Sequence, residues 1–253
     1  MQHSLNLLFN WSINSQLHIS VPKCSAMYVH RKSYKGLTTP AYFIGMHKLE
    51  IQSCIKDLGI LLDDQLTFSK HINSIVQKAS CRSCLIFKSF TSRNQDVLVR
   101  AFTTYVRPLL EYCSQIWPPS SIKEIKAIES VQRRFTKKIP GLFNFSYDER
   151  LQTLKLERLK VRRIKADLIL CYKIVFGLYK TNIKLELISN QCNTRGHHFR
   201  IKLPQVKTNS QKHYFNYRAA KIWNELPNNT DFSELGRFVK NISNIDFNKY
   251  CHK

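Results

Sequence analysis

Acidic residues are scarce in this chain. Seventeen Asp and Glu stand against 40 Lys and Arg over 253 residues, a formal net charge of +23, and none of the acids comes before Glu50. A field of that sign favours a polyanion as partner, nucleic acid foremost. Long apolar runs are missing too. None approaches the roughly 20 residues that span a bilayer, so no membrane partner is expected. No Lys or Arg precedes Lys23, so neither a secretory signal nor a transit peptide is expected. An intracellular location follows, nucleus and cytoplasm not being distinguished, with the eight cysteines as free thiols. Internal repeats are absent, as are the GxSxG, Walker, HExxH and Cys–His patterns that mark complete active sites. What is present is a 43% hydrophobic composition, enough to bury a core and to exclude disorder throughout.

The pattern predicts a small β-rich head on a larger helical body, an α+β chain that is mostly helical. LHISV (17–21), AMYVH (26–30) and IKDLGILL (55–62) read as strands. Ile72, Ile75, Val76, Ala79, Ile86 and Phe90 then set a helical period, with Ser69 as its N-cap. A second helix is expected over 94–107, stopped or kinked at Pro108, with LEYCSQIW (110–117) continuing as a short apolar helix. Ser121 with Glu124, and Ser146 with Glu149, are capping-box pairs that open helices. A longer helix is expected over 157–176, closed by Gly177. Residues 179–210 read as a linker with an extended segment at HFRIKL (198–203). A last helix covers 210–226, and a weak one follows from Ser233.

Charge is unevenly spread. Residues 121–165 hold 13 Lys and Arg against five acids, and residues 195–223 hold seven basic residues, no acid and three His. The candidate phosphate-binding residues are Arg133, Arg134, Lys137, Lys138, Lys155, Arg158, Arg162, Lys165, Arg195, Arg200, Lys212 and Arg218. If helix extends back to Lys155, then Lys155, Arg158, Arg162 and Lys165 share one side, and the phosphates of a duplex could lie along it. The alternative is a solvated helix face. In HYFNYR (213–218) aromatic and basic residues interleave, and a base could stack on an exposed ring. However, Tyr214, Tyr217 and Trp223 share helical spacing with Ala220, which favours burial.

Two features imitate metal sites. Asp63-Asp64 looks like a carboxylate pair for two-metal phosphoryl transfer, but no second acidic segment precedes it, and a turn before a helix suits it better. Cys81 and Cys84 form a lone CxxC with only His71 nearby, too few ligands for structural zinc. His197-His198 has no cysteine pair to join.

KDLGILLD (56–63) followed by LTFSKHI (66–72) resembles the palm–thumb junction in reverse transcriptases of non-LTR (LINE-type) retrotransposons, the jockey-like group especially. RPLLEYCSQIW (107–117), IESVQRRFTKKIPGL (128–142), YDERLQTLKLERLKVRRIKADLILCYKI (147–174), TRGH (194–197) and IWNELP (222–227) follow in that family's order. The resemblance covers about residues 18–250. It implies a partial palm over 1–65, a helical thumb-like region over 66–178 and a basic C-terminal region over 179–253. In the family, an acidic residue of one palm motif and a Tyr-x-Asp-Asp hairpin hold two magnesium ions. Neither motif has a counterpart here, so the resemblance implies no catalytic residue, metal ligand or cofactor in this chain, Mg2+ belonging to the intact enzyme. Pro22-Lys23-Cys24 resembles a later palm motif, which makes Lys23 the one residue of the catalytic region that can be placed.

The expected function is that of a truncated, inactive remnant that binds RNA, DNA or an RNA–DNA hybrid. One alternative is a C-terminal piece of an active RNA-directed DNA polymerase whose catalytic half lies upstream. Another is a helical protein recruited to protein partners or a structural role.

Overall fold

A computed structural model of the chain describes residues 1–29, 40–188 and 196–251, with the side chains of 209 and 210 left aside. About 51% of the described residues are helical, with short strands in two-stranded sheets, so the class is α+β and mostly helical. It forms two compact units, residues 1–71 and 72–253.

The first unit opens with a helix where the pattern gave no signal, α1 (Gln2–Asn14). Its partly or fully buried residues are Gln2, Leu5, Phe9 and Ser12, at helical spacing, while Leu7, Leu8, Trp11 and Ile13 are exposed. Two of the inward positions are polar and much of the outward face is apolar, so the amphipathic signal is scrambled. The expected strand over 17–21 does not form. Residues 17–20 are irregular and Val21–Lys23 is a 3-10 turn, because Pro22 fixes φ and lacks the N–H that a ladder needs. Of 26–30, only Ala26 is in a strand, β1 (Ser25–Ala26), and His30 lies outside the described residues. β2 (Phe43–Ile44) and β3 (His47–Lys48) make a hairpin, and β4 (Glu50–Ile51) pairs in parallel with β1.

The side chain of Gln2 pairs with β2 as a strand would, donating to Phe43 O and accepting from Phe43 N, both at 2.9 Å. Next to it the Phe9 ring covers Gly45, where an added Cβ would come within 2.8 Å of the ring. The run at 55–62 is a hairpin rather than one strand. β5 (Cys54–Asp57) folds back on β6 (Ile60–Asp63) through Leu58 and Gly59, with φ of 44° and 91°. Two positive φ values in a two-residue loop are the type I′ requirement, for which Gly59 was the only sequence signal.

Asp63 ends β6 and builds the turn that follows. Its carboxylate accepts from the amides of Gln65, Thr67 and Phe68 at 2.9–3.1 Å and from the Thr67 hydroxyl at 2.9 Å. Burial alone would raise this carboxyl, but those bonds outweigh it and hold it below its ordinary value. Ser69 is the first residue of α2 (Ser69–Ser89) rather than its cap.

In the second unit Asn94 caps α3 (Gln95–Ala101), accepting from Asp96 N and Val97 N. The helix then widens into a π segment (Phe102–Val106) and runs on as α4 (Arg107–Glu111). Pro108 therefore does not stop it, since the helix runs three residues beyond the ring, which sits in the first turn of α4 where the missing N–H is tolerated. The expected helix over 110–117 ends at Glu111, and Cys113 takes a φ of 49°. Both capping boxes form, opening α5 (Ile122–Lys137) and α6 (Tyr147–Thr153). Phe135 of α5 packs on Phe102 and Phe87, with ring centroids 4.5 and 4.9 Å away.

α7 (Leu159–Val175) joins this core to a second one. Leu168, Cys171 and Tyr172 pack with α9 (Phe215–Asn224) and α10 (Leu235–Ser243), and Trp223, Phe232 and Phe238 lie at its centre. The extended segment at 198–203 is held against 186–188 by Ile188 N to Arg200 O and Lys202 N to Glu186 O, both 2.8 Å. The helix expected over 210–226 is broken into α8 (Asn209–Lys212) and α9. Tyr214, at the break, is exposed, whereas Ala220 and Trp223 are buried.

Candidate nucleic-acid interface

Each of the helices α5 and α7 carries five Lys or Arg. Their surroundings separate them. In α5 both acids point inward. Glu124 completes the capping box, its Oε2 accepting from Ser120 N and Ser121 N at 3.0 and 3.1 Å. Glu129 is buried, and its Oε1 accepts from the Tyr147 hydroxyl at 2.5 Å and from Leu159 N, the first amide of α7, at 3.2 Å. Burial and the adjoining Glu129 carboxylate push the Tyr147 phenol well above its ordinary range. Lys123, Lys126, Arg133, Arg134 and Lys137 are all exposed, as is Lys138 just beyond the helix. Among the described residues none of the six forms an ion pair with an acid. The result is a basic face with no outward acid.

Neighbouring groups pre-position these cations. The Arg134 guanidinium donates to Ser80 Oγ at 3.2 Å and to Ser130 Oγ at 3.3 Å. Arg133 lies 4.7 Å from the centre of the Tyr147 ring, and Lys137 lies 4.8 Å from that of Phe143. Phe143 is 67% exposed, a ring on which a base could stack beside a phosphate-binding ammonium. It lies outside the 213–218 stretch in which aromatic and basic residues interleave along the sequence. Lys123 and Lys126 join the candidate residues on this face, and the helical positions of Glu124 and Glu129 are the signal in the sequence that would have pointed to them.

The α7 group is arranged differently. Lys155 is outside the helix, at a φ of 52°, and Arg158 is the N-cap residue, so the side shared by 155, 158, 162 and 165 does not exist. Arg158 is paired with Asp148, Arg162 with Glu111, and Lys165 with Glu157. Arg162 Nη2 donates to Glu111 Oε2 at 3.0 Å, and Lys165 also reaches Ser243 O at 3.2 Å. Arg218 is the most committed. It grips Asp167 with Nε at 2.8 Å and Nη2 at 3.0 Å, and it donates to His213 O and Gln115 O at 2.7 and 2.9 Å. Such a fork joins three segments of the unit and leaves little for an outside ligand.

Among the other candidates Arg200 is partly buried, Lys212 is exposed and Arg195 lies outside the described residues. Lys23 is exposed at the end of its 3-10 turn. His197 is buried, with Nε2 2.8 Å from Trp223 O, and burial holds its imidazole below the ordinary value. Cys81 and Cys84 are exposed, and the seven described cysteines are free. Among the described residues no three His, Cys, Asp or Glu gather as a metal site, and no helix is long and apolar enough to cross a membrane.

Comparison with known proteins places part of this chain. No family model and no solved structure matches it. Over 137 residues it is 28% identical to an uncharacterized protein of Caenorhabditis elegans, covering 53% of this chain and 69% of that one. Over 110 residues it is 30% identical to a probable RNA-directed DNA polymerase from transposon X-element of Drosophila melanogaster, covering 42% of this chain and 12% of that protein. Over 146 residues it is 26% identical to the RNA-directed DNA polymerase from mobile element jockey of the same species, covering 56% of this chain and 15% of the polymerase. The chain thus contains a region related to these mobile-element polymerases, and it matches only a small part of either one.

Proposed function

We propose that this chain holds RNA, DNA or an RNA–DNA hybrid through the outward face of α5 and does not itself polymerise. It corresponds to the end of the palm, the thumb and the following helices of a non-LTR reverse transcriptase, as a remnant of that enzyme. The observation that carries this reading is the acid-free row Lys123, Lys126, Arg133, Arg134, Lys137 and Lys138, all exposed. Phosphate contacts from such a row fix a strand without reading its sequence, and they release counterions. The lack of synthesis is inferred from the sequence, which offers no Tyr-x-Asp-Asp and no acid before Glu50. Phosphoryl transfer of this kind depends on carboxylates that position two metal ions.

Fluorescence anisotropy with a labelled RNA–DNA hybrid over a salt series tests the binding. Affinity is expected to fall steeply as salt rises, and binding that is absent or indifferent to salt rejects the proposal. Primer extension with the purified chain and magnesium is expected to give no product. Measurable synthesis would overturn the inactive reading in favour of a working polymerase fragment.

A further inference from the structure

Beside the face of α5 lies a recess of about 620 Å³ that the row of cations does not explain. Its walls include Lys126, Ser130 and Arg133 of α5, Arg158 and Lys160 at the start of α7, and Cys251 near the end of the described chain. We propose that this recess binds the phosphate of a single nucleotide unit, with the sugar and base filling the remaining volume.

Among the described residues, three cations without an acid partner, Lys126, Arg133 and Lys160, line this concave site beside Arg158, which Asp148 already holds, and the one acid in its wall is Glu129. Glu129 Oε1 accepts from Tyr147 and Leu159 N, while Oε2 is buried without a hydrogen-bond partner, so this carboxylate offsets part of the positive charge. Behind the same wall Arg163 is buried, and neither of its terminal nitrogens has a hydrogen-bond partner. The recess keeps a net positive charge, the condition under which a cleft concentrates anions. Arg158 is held at the rim by Asp148 and by the Tyr147 ring, 5.4 Å from its guanidinium carbon. Arg133 faces the same ring at 4.7 Å. Set against that ring and free of any acid partner among the described residues, the Arg133 guanidinium is a pre-organised donor for phosphate oxygens. Burial also depresses the Lys160 ammonium, which a bound phosphate would relieve. The volume exceeds what a bare phosphate needs and falls within the ordinary range for small-molecule sites, about 300–1,000 Å³.

The source of the phosphate, a strand or a free nucleotide, rests on the nucleic-acid reading above, while the chemistry of the recess does not. The test uses the full chain, with AMP and a short single-stranded RNA carrying or lacking a 5′-phosphate as probes, all at one ionic strength. Alkylation of Cys251 by iodoacetamide, followed by peptide mass spectrometry, reports occupancy of the recess, and exposed Cys81 serves as the internal reference. AMP is expected to slow alkylation at Cys251 severalfold and to leave Cys81 unchanged. Lys160→Gln and, separately, the exposed Lys126→Gln are expected to weaken that protection about tenfold. If 5′-phosphorylated RNA protects and unphosphorylated RNA does not, the source is a strand end; if AMP alone protects, it is the free nucleotide.

No protection of Cys251 by AMP or by either RNA overturns the proposal, as does protection that survives both substitutions. Should RNA binding persist in that case and still depend on Arg134, Lys137 and Lys138, the recess has failed and the α5 reading stands. If no RNA binds while AMP still protects, the α5 reading fails and the recess remains.

Discussion

α5 and α7 hold the same number of basic side chains, and α7 has one acid to the two of α5. By composition α7 is the better nucleic-acid helix. In the folded protein the order reverses, because acids from elsewhere (Asp148, Glu157 and Glu111) meet the cations of α7 and its cap, while the two acids of α5 turn inward as caps. Local net charge is thus a poor guide to surface potential. Which way each acid points decides it.

The largest effect that would sharpen the contrast lies on the structural side. Arg218→Ala leaves Asp167 buried without its fork, and breaking a buried pair of this kind costs about 3–5 kcal/mol. Urea denaturation should show that loss, and a change under 1 kcal/mol would mean that the pair is not structural. Next comes the binding side. Replacing Arg133, Arg134, Lys137 and Lys138 together by Gln should lower the slope of log affinity against log salt by about 3–4, at roughly 0.9 per phosphate contact. The matched triple Arg158→Gln, Arg162→Gln and Lys165→Gln should leave that slope nearly intact while lowering stability. Equal slopes in the two variants would erase the distinction between the helices.

Smaller effects test the inward acids. Asp63→Asn is expected to cost about 1–3 kcal/mol, because several donors lose a charged acceptor. Since the folded carboxyl sits below its ordinary value of 3.8, its stabilisation is complete above that pH and is lost as pH falls through the lower, folded value. Acid denaturation should therefore show a component that Asp63→Asn removes. The mildest test is Ser121→Ala, which removes the α5 cap and should cost about 1 kcal/mol in thermal or chemical melts.

Much of the helical body was legible because its signals are local. A Ser with a Glu three residues on marked the starts of α5 and α6, periodic apolar residues marked α2, and Gly177 marked the end of α7. The hairpin at Leu58-Gly59 was harder, since a run of eight mostly apolar residues reads as one strand unless the glycine is given weight. α1 was illegible because Leu7, Leu8, Trp11 and Ile13 point outward while polar Gln2 and Ser12 point inward. The site was half legible. Arg133, Arg134, Lys137 and Lys138 were singled out by composition and do lie on an open face. Arg158, Arg162, Lys165 and Arg218 looked equivalent, and the acids that engage Arg162 and Arg218 lie 51 residues away in the chain. No window on the sequence brings such partners together.

The widened turn at Phe102–Val106 takes up one residue more than the ordinary repeat without turning the helix on either side of it. Each residue advances an α-helix by about 100°. Deleting one of its exposed residues, Thr104 or Tyr105, would therefore let the hydrogen bonding relax to the ordinary repeat and leave Glu111 facing Arg162. The same deletion within α4 would swing Glu111 about a quarter of the way round, off that guanidinium. The chain thus carries a spot where its length can change by one codon with no loss of the ion pair downstream.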